Sequence, residues 1–393
     1  MNMIKKPANL HLLLFEPRLG GHHLSWLRYV TEDLLTHGAT LTLAVDLRPG
    51  AKKLIEEYLA DLLSKVNMTS AYGGNGKYRG GSKMAALLEC FIASSAEEIF
   101  MTNFDELASN TLRLAAFGVT PPKALRGKIN GIYFRPRFMA HAFWPPGNII
   151  KALGFRRLCR GQWFKNIYLL DEYLISKAHK NWYGPRFNFL PDVWNGNFSH
   201  DKHAARQALR IPPDKFVFLN YGIGTRRKGL HLVIRAMRQK KLPDNALLLC
   251  AGKIADDKEL LSGVTELEKK GIARLLNRYV SDIEEELCFA ASDVILLPYV
   301  KHFGSSGVLS RAAAAGKLVI ASDEELVARR VREHKLGVLF QSGSVNSLLQ
   351  RMEQVMTFDK IKLSLYQEAS HHYARSCSRK AFRRALSSCL MPS

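Results

Sequence analysis

Two loops in this sequence pair glycines with groups able to hold a phosphate. The first lies in residues 293–322, where an apolar run (294–297) ends at Pro298 and Gly304, Ser305, Ser306 and Gly307 follow. A small-residue helix is expected over 308–315, Gly316 stops it, and a second apolar run covers 318–321. The pattern predicts strand, loop, helix and strand, with the Gly/Ser loop at the helix N-terminus. Backbone N–H groups there lack intrahelical partners and sit at the positive end of the helix dipole, which suits a phosphate or diphosphate. In the second loop, apolar residues 216–221 lead into Gly222, Ile223, Gly224, Thr225, Arg226, Arg227, Lys228 and Gly229, and then into a helical pattern. Arg227 and Lys228 thus stand at a strand–helix junction, where fixed cations can neutralise a departing diphosphate. The compact ammonium of Lys228 is the better phosphate partner.

Proton transfer needs other groups. Gly20 and Gly21 follow the apolar run 10–15 and would let backbone approach a reaction centre, with His22 and His23 at the first turn of the next helix. Histidine titrates near neutrality, so one of this pair is a candidate base, with capping or packing as the plain alternative. Asn103, Asp105 and Glu106 follow an expected strand at 99–102, and Asp105 is the strongest carboxylate candidate for a base or for acceptor binding.

The three glycine-bearing segments, in this order, resemble those of GT-B-fold glycosyltransferases, specifically the large retaining family that includes many bacterial sugar transferases. The resemblance covers most of the chain and is stronger after residue 190. It implies an α/β fold of two Rossmann-like domains with parallel sheets facing a cleft. It also implies a C-terminal crossover helix and a nucleotide-diphosphate sugar as donor. Carried onto this sequence, it assigns donor binding to Gly20, Gly21, Gly222, Gly224, Arg227, Lys228, Ser305, Ser306, Gly307 and Arg311. The reaction centre would hold His22, Asp105 and Arg135, the last where relatives often carry a histidine near the donor sugar. Two departures stand out. The family's paired glutamates, eight positions apart, fall on Phe303 and Arg311, and the arginine usual after the first glycine of the mid-chain segment is Ile223. A guanidinium donates hydrogen bonds and cannot accept them. The retaining or inverting outcome is therefore open, as is the choice between an altered donor mode and a non-catalytic relative. Metal-using transferases of the other main fold carry Asp-x-Asp, which this chain lacks, so no metal and no cofactor beyond the donor are expected.

Composition narrows the class. At 393 residues, with 47% hydrophobic and 23% charged, the chain exceeds one compact core and reads as two globular domains. Six scattered cysteines without a Cys-x-x-Cys pair argue against a disulfide framework or a zinc site. No run matches a signal peptide or approaches the ~20 apolar residues of a membrane span. A cytoplasmic protein, peripheral on the inner face of the membrane, is the expectation.

The net charge of +22 is unevenly placed. Residues 107–170 contain no Asp or Glu, yet hold eleven basic residues, among them Arg113, Lys123, Lys151, Arg156, Arg157 and Arg160. Nine aromatics are interleaved, from Phe117 through Phe138, Phe143, Trp144 and Phe155 to Trp163 and Phe164. Basic residues with apolar anchors suit an anionic membrane surface or a lipid-phosphate acceptor. A solvated basic face or a nucleic-acid surface would carry the same charges. Zinc-finger, RNA-recognition and basic-zipper signatures are all missing, so no specific nucleic acid is expected.

Periodicity supplies the elements that must position these groups. Strands are expected at 10–15, 41–45, 99–102, 132–134, 167–170 and 187–190, with a helix over 24–35. Further strands are expected at 216–221, 246–251, 278–280, 294–297, 318–321 and 337–340, alternating with helical patterns as in a parallel sheet. The glycine-rich residues 72–81 read as a mobile loop with no strand before it. The expected domains are 1–190 on the acceptor side, 200–365 for the nucleotide sugar, and a crossover helix over 366–393.

Overall fold

The computed structural model describes residues 10–20, 23–141, 145–239 and 241–390. The chain divides into two compact units, Met1–Leu190 with Arg383–Ser393, and Pro191–Phe382.

The first unit holds a parallel sheet of β1 (His11–Glu16), β2 (Thr40–Val45), β3 (Asn67–Ser70), β4 (Glu98–Met101), β5 (Ile129–Tyr133), β6 (Phe164–Leu169) and β7 (Arg186–Phe189). Its spatial order is β3-β2-β1-β4-β5-β6-β7. The second unit holds β8 (Phe216–Tyr221), β9 (Ala246–Ala251), β10 (Ala273–Leu276), β11 (Val294–Leu297), β12 (Leu318–Ser322) and β13 (Gly337–Phe340), also parallel. Its order is β10-β9-β8-β11-β12-β13. Parallel strands need helical crossovers, which cover both faces of a sheet and bury both sides of its central strands. That is why Leu12–Phe15 and Val294–Leu297 are unbroken apolar runs and why every residue in them is buried.

The shared strand order has a functional consequence. The order in which successive strands are added reverses between β1 and β4 in one unit and between β8 and β11 in the other. In open α/β sheets, ligands bind outside the carboxyl ends of strands at such reversal points. All three glycine-bearing segments leave strands that flank these points.

Several sequence expectations need correcting. The strand expected at 278–280 is instead β10, a few residues earlier. Arg278 donates to Glu284 (Nη1 to Oε2, 2.7 Å), and Ser281 with Glu284 forms a capping box on helix Asp282–Ala291, so residues 277–281 are a loop. A strand does precede the glycine-rich loop: β3 was hidden by its polar residues Asn67, Thr69 and Ser70, which suit a partly exposed edge. That loop is pinned by an antiparallel bridge between Tyr72 and Tyr78, whose rings stack at 4.5 Å. The C-terminal segment is two helices, Lys360–Ser376 and Arg379–Leu390, divided where the Ser378 hydroxyl accepts from Ala381 N. Only residues from Arg383 onward join the first unit, where Arg383 Nε lies 2.8 Å from buried Asp33 and Tyr168 donates to the Leu386 carbonyl. Residues 191–199 and 366–382 belong to the second unit.

The aromatics of the acid-free stretch are mostly core and not surface anchors. Tyr133, Phe138, Phe155, Trp163 and Phe164 are buried, in a cluster where Phe155 stacks on Phe164 at 5.6 Å. Phe134 is half-buried and Phe117 is 78% exposed, while Phe143 and Trp144 lie outside the described residues. Among the described residues, no helix is long and apolar enough to cross a membrane.

Candidate active site

In the second unit, β8 ends at Tyr221 and the chain turns at Gly222, whose φ of 93° is left-handed and open to glycine at little cost. The turn closes at Gly229 (φ 76°), where a Cβ would stand 1.7 Å from the Pro298 carbonyl oxygen. The segment carrying Arg227 and Lys228 is thereby pressed onto the end of β11. Val300 N donates to the Arg227 carbonyl at 2.9 Å. His302 links the two loops through its side chain. Its Nε2 donates to the Ser305 carbonyl (3.1 Å), and its Nδ1 accepts from Arg227 Nη1 (2.6 Å), which requires the Nε2–H tautomer. Gly224 packs inward, its N–H donating to the Lys253 carbonyl.

Lys228 is the most telling group. Its ammonium lies 2.6 Å from where a Gly222 Cβ would be, so glycine is what leaves room for it. The side chain is half-buried, and among the described residues it makes no ion pair. Burial, with help from Arg227 and Arg311, lowers its pKa to about 8. Packing makes it a partly desolvated cation beside other cations, an arrangement that an anion would stabilise.

Ser306 is the N-cap of helix Gly307–Ala314, and its Oγ pairs with Tyr299 Oη at 2.9 Å. Asp192 is buried beside this loop, and burial raises its carboxyl while Ser305, Arg330 and Arg311 act in the opposite direction. Arg311 sits on the same helix and is heavily engaged. Its Nε donates to Glu285 Oε1 (2.6 Å), its Nη1 donates to the Gly307 carbonyl (3.0 Å), and Tyr221 donates to the other Glu285 oxygen. A carboxylate is therefore present beside this loop, supplied by helix Asp282–Ala291.

In the first unit the reversal point is built differently. Glu16, at the end of β1, is buried and accepts from Thr102 Oγ1 (2.7 Å) and from Arg18 N (3.2 Å). His23 Nδ1 lies 3.1 Å from the same carboxylate. Beyond β4, Asn103 Oδ1 is buried with no hydrogen-bond partner among the described residues. Asp105 Oδ2 accepts from Phe134 N (2.7 Å) and Oδ1 from Arg135 N (3.1 Å), with the exposed Arg135 guanidinium 3.7 Å away. Burial raises its pKa to about 6, against the opposing pull of Arg135 and the two amides. Glu106 pairs with Arg18 and Lys83. Gly20 is exposed, with nothing within 4 Å of a notional Cβ; Gly21 and His22 lie outside the described residues.

The structure thus gathers Gly222, Arg227, Lys228, Ser305, Ser306, Gly307 and Arg311 at one reversal point, and Asp105 and Arg135 at the other. Sequence reasoning missed Asp192, Glu285, Tyr299 and His302. His302 and Tyr299 were findable, since they flank the Gly/Ser loop in sequence. Glu285 and Asp192 lie 20 or more positions before Ser305 and reach it only through the fold. Chemically, the second unit offers fixed positive charge for a diphosphate, and the first offers carboxylates and an imidazole able to accept a proton.

Comparison with known proteins agrees with this geometry. The family model for glycosyl transferases group 1 matches residues 201–372. No curated protein matches the sequence. Among solved structures, sucrose-phosphate synthase from Thermosynechococcus elongatus superposes with a TM-score of 0.72 at 16% identity, over 95% of this chain and 96% of that one. HepE from Anabaena in complex with UDP gives 0.70 at 16% identity, over 97% and 99%, and HepE has also been solved with UDP-glucose. WaaG, a glycosyltransferase involved in lipopolysaccharide biosynthesis, gives 0.67 at 14% identity, over 98% and 100%. The fold is that of the GT-B glycosyltransferases, and residues 201–372 match the family model for glycosyl transferases group 1.

Proposed function

We propose that this protein transfers a sugar from a nucleoside-diphosphate donor to a polysaccharide, lipid-linked or cell-envelope acceptor, without a metal. The donor diphosphate lies between Lys228 and the Ser305–Gly307 loop. The acceptor oxygen bonds to the anomeric carbon as the bond to the diphosphate breaks, and the hydroxyl proton passes to a base. Lys228 carries this reading: a half-buried ammonium without a carboxylate partner, held beside Arg227 and Arg311, fits a ligand with two adjacent negative charges. The UDP and UDP-glucose bound by HepE, a protein of similar fold, support a uridine nucleotide as the first donor to try. His22, Asp105 and Arg135 form the acceptor side, with Asp105 or His22 as proton acceptor.

The test is a thermal-shift panel of nucleotide sugars, followed by turnover with the stabilising donor in the presence of chelator. Stabilisation by one nucleotide family and chelator-resistant turnover are expected. Loss of turnover on chelation would overturn the metal-free reading, and no stabilisation by any donor would overturn the donor site.

The same proposal places the first unit against an anionic membrane of the cytoplasmic face. Its support is narrower than the aromatic count suggested. Leu114, Phe117, Val119, Ile149 and Leu153 are exposed apolar residues on or beside helices Asp105–Ala116 and Gly147–Arg160, close in sequence to Arg113, Arg156 and Arg157. Exposed charges are screened beyond ~8 Å at physiological salt, so vesicle binding should weaken as salt rises. Reversing Arg156, Arg157 and Arg160 to glutamate should release the protein from anionic vesicles in co-sedimentation. Equal recovery with neutral vesicles would remove the membrane from the proposal.

A further inference from the structure

One cavity of the second unit lies away from the donor loops. It has a volume of about 580 Å³, within the usual range of roughly 300–1,000 Å³ for ligand pockets. It opens beside the edge strand β13, lined by Gly337 where that strand begins, whereas Lys228 and Ser305 follow strand ends. Four basic side chains line it, Arg332, Lys335, Arg351 and Lys362, and no carboxylate does. Leu365 and Tyr366 form part of an apolar wall, with Leu365 62% exposed.

Ordinary helix electrostatics explains only part of this cluster. Arg332 is in the last turn of helix Glu325–Glu333, where a cation complements the dipole. Lys362 stands in the first turn of helix Lys360–Ser376, where a cation opposes it. Lys335 has a φ of 54°, a left-handed backbone that glycine would adopt at lower cost just past a helix end. Neither Arg332 nor Lys335 makes an ion pair among the described residues, and Glu333 pairs instead with Arg329. Arg351 is half-committed, donating to the Leu339 carbonyl (2.9 Å) and to Gln354 (2.8 Å). Lys362 lies over the Phe358 ring at 3.7 Å, so among the described residues Arg332 and Lys335 are the two lining cations left without a side-chain partner. Two such cations beside an apolar wall, one kept on unfavourable backbone, match an anion that carries an apolar group.

We propose that this cavity binds an organic phosphate, with Arg332 and Lys335 on the phosphate and Leu365 and Tyr366 against its apolar portion. A lipid headgroup and a soluble phosphate ester share this chemistry. The site uses no residue of the donor loops, so it stands or falls independently of the donor reading.

The test is calorimetric titration of the full chain with dihexanoyl phosphatidic acid, inorganic phosphate and dihexanoyl phosphatidylcholine. It is repeated with Arg332→Gln/Lys335→Gly. Lys335→Gly suits the left-handed backbone, so the variant should melt no lower than wild type, and an unchanged far-UV circular dichroism spectrum confirms its fold. Saturable binding of the phosphatidic acid is expected, at least about tenfold tighter than inorganic phosphate and weakened about tenfold or more in the variant. Undiminished binding by the variant, or phosphatidic acid no tighter than inorganic phosphate or phosphatidylcholine, would overturn the proposal. Vesicles of phosphatidylcholine doped with phosphatidic acid separate the sources. Retention that the double variant loses supports a lipid surface, and binding of the short-chain ester alone supports a soluble ligand.

Discussion

The two sheets reverse their strand order at equivalent places, between β1 and β4 and between β8 and β11, yet the strand ends there carry opposite chemistry. Beyond β8 and β11 stand Arg227, Lys228 and a capped helix N-terminus, all favouring negative charge. At or beyond the ends of β1 and β4 stand Glu16, Asp105 and Glu106 with His23 nearby, favouring a proton or a polyhydroxyl ligand. One strand order therefore frames two kinds of site, and the side chains that cap the strands choose between them. The manner of holding differs too. Asp105 is clamped by two backbone amides, whereas Lys228 is left without an ion pair, so the first is satisfied before any ligand arrives and the second is not.

The sharpest way to break this contrast is to remove the unsatisfied cation. Lys228→Ala should lower turnover by about 10²–10³-fold, the cost of losing one preorganised charge at a developing anion. Because Lys228 is not in the core, the melting temperature should hardly move, and turnover near wild type would end its assignment to the diphosphate.

Asp105→Asn probes the satisfied group and should act on stability. An amide oxygen can replace only part of the carboxylate's acceptance from Phe134 and Arg135, so a loss of about 1–3 kcal/mol is expected in urea unfolding. UDP affinity should stay as in wild type. An intact stability with lost nucleotide binding would contradict the division of labour.

A third measurement uses pH. In the free protein Lys228 loses its proton near pH 8, where an ordinary lysine keeps it to 10.5. A bound diphosphate should raise that value, so binding takes up a proton above pH 8. Affinity should be flat below pH 8 and then fall by roughly tenfold per unit. Calorimetry in buffers of different ionisation heat reads the proton directly. Lys228→Arg should flatten the profile, because a guanidinium stays charged throughout, and a wild-type profile flat to pH 10 would exclude the lysine from the binding site.

The smallest effect is expected from Glu285→Gln. It weakens the grip on Arg311 and should reduce nucleotide affinity only several-fold, about 0.5–1.5 kcal/mol. Tighter binding in this variant would mean that Glu285 masks Arg311 from the ligand.

Legibility in the sequence followed burial. β8, β9 and β11 were placed at their observed bounds, and β1 and β12 within a residue, because strands covered on both faces appear as uninterrupted apolar runs. The edge strand β13 was also placed, because Val338, Leu339 and Phe340 happen to be apolar in a row. The edge strand β3 was missed, and β10, also at an edge, was displaced, since solvent on one side removes that signal. The acid-free stretch misled in the opposite direction. Phe155 and Phe164 are spaced like anchors among arginines, but their partners Phe138, Trp182 and Phe187 come from several elements and draw them inward.

The candidate site divides along the same line. Local sequence determined the phosphate-holding loops, because a glycine turn after a strand, a serine N-cap and a lysine before a helix are features of neighbouring residues. It determined the uneven positive charge in the same way. Only the tertiary structure decided that Lys228 is partly desolvated beside Arg227 and Arg311. The fold also decided that Glu285 reaches Arg311 from 26 residues away and that Asp105 spends its oxygens on the β5 loop. Desolvation and ion pairing depend on which distant groups exclude water or arrive within a few ångströms, and chain order does not record that.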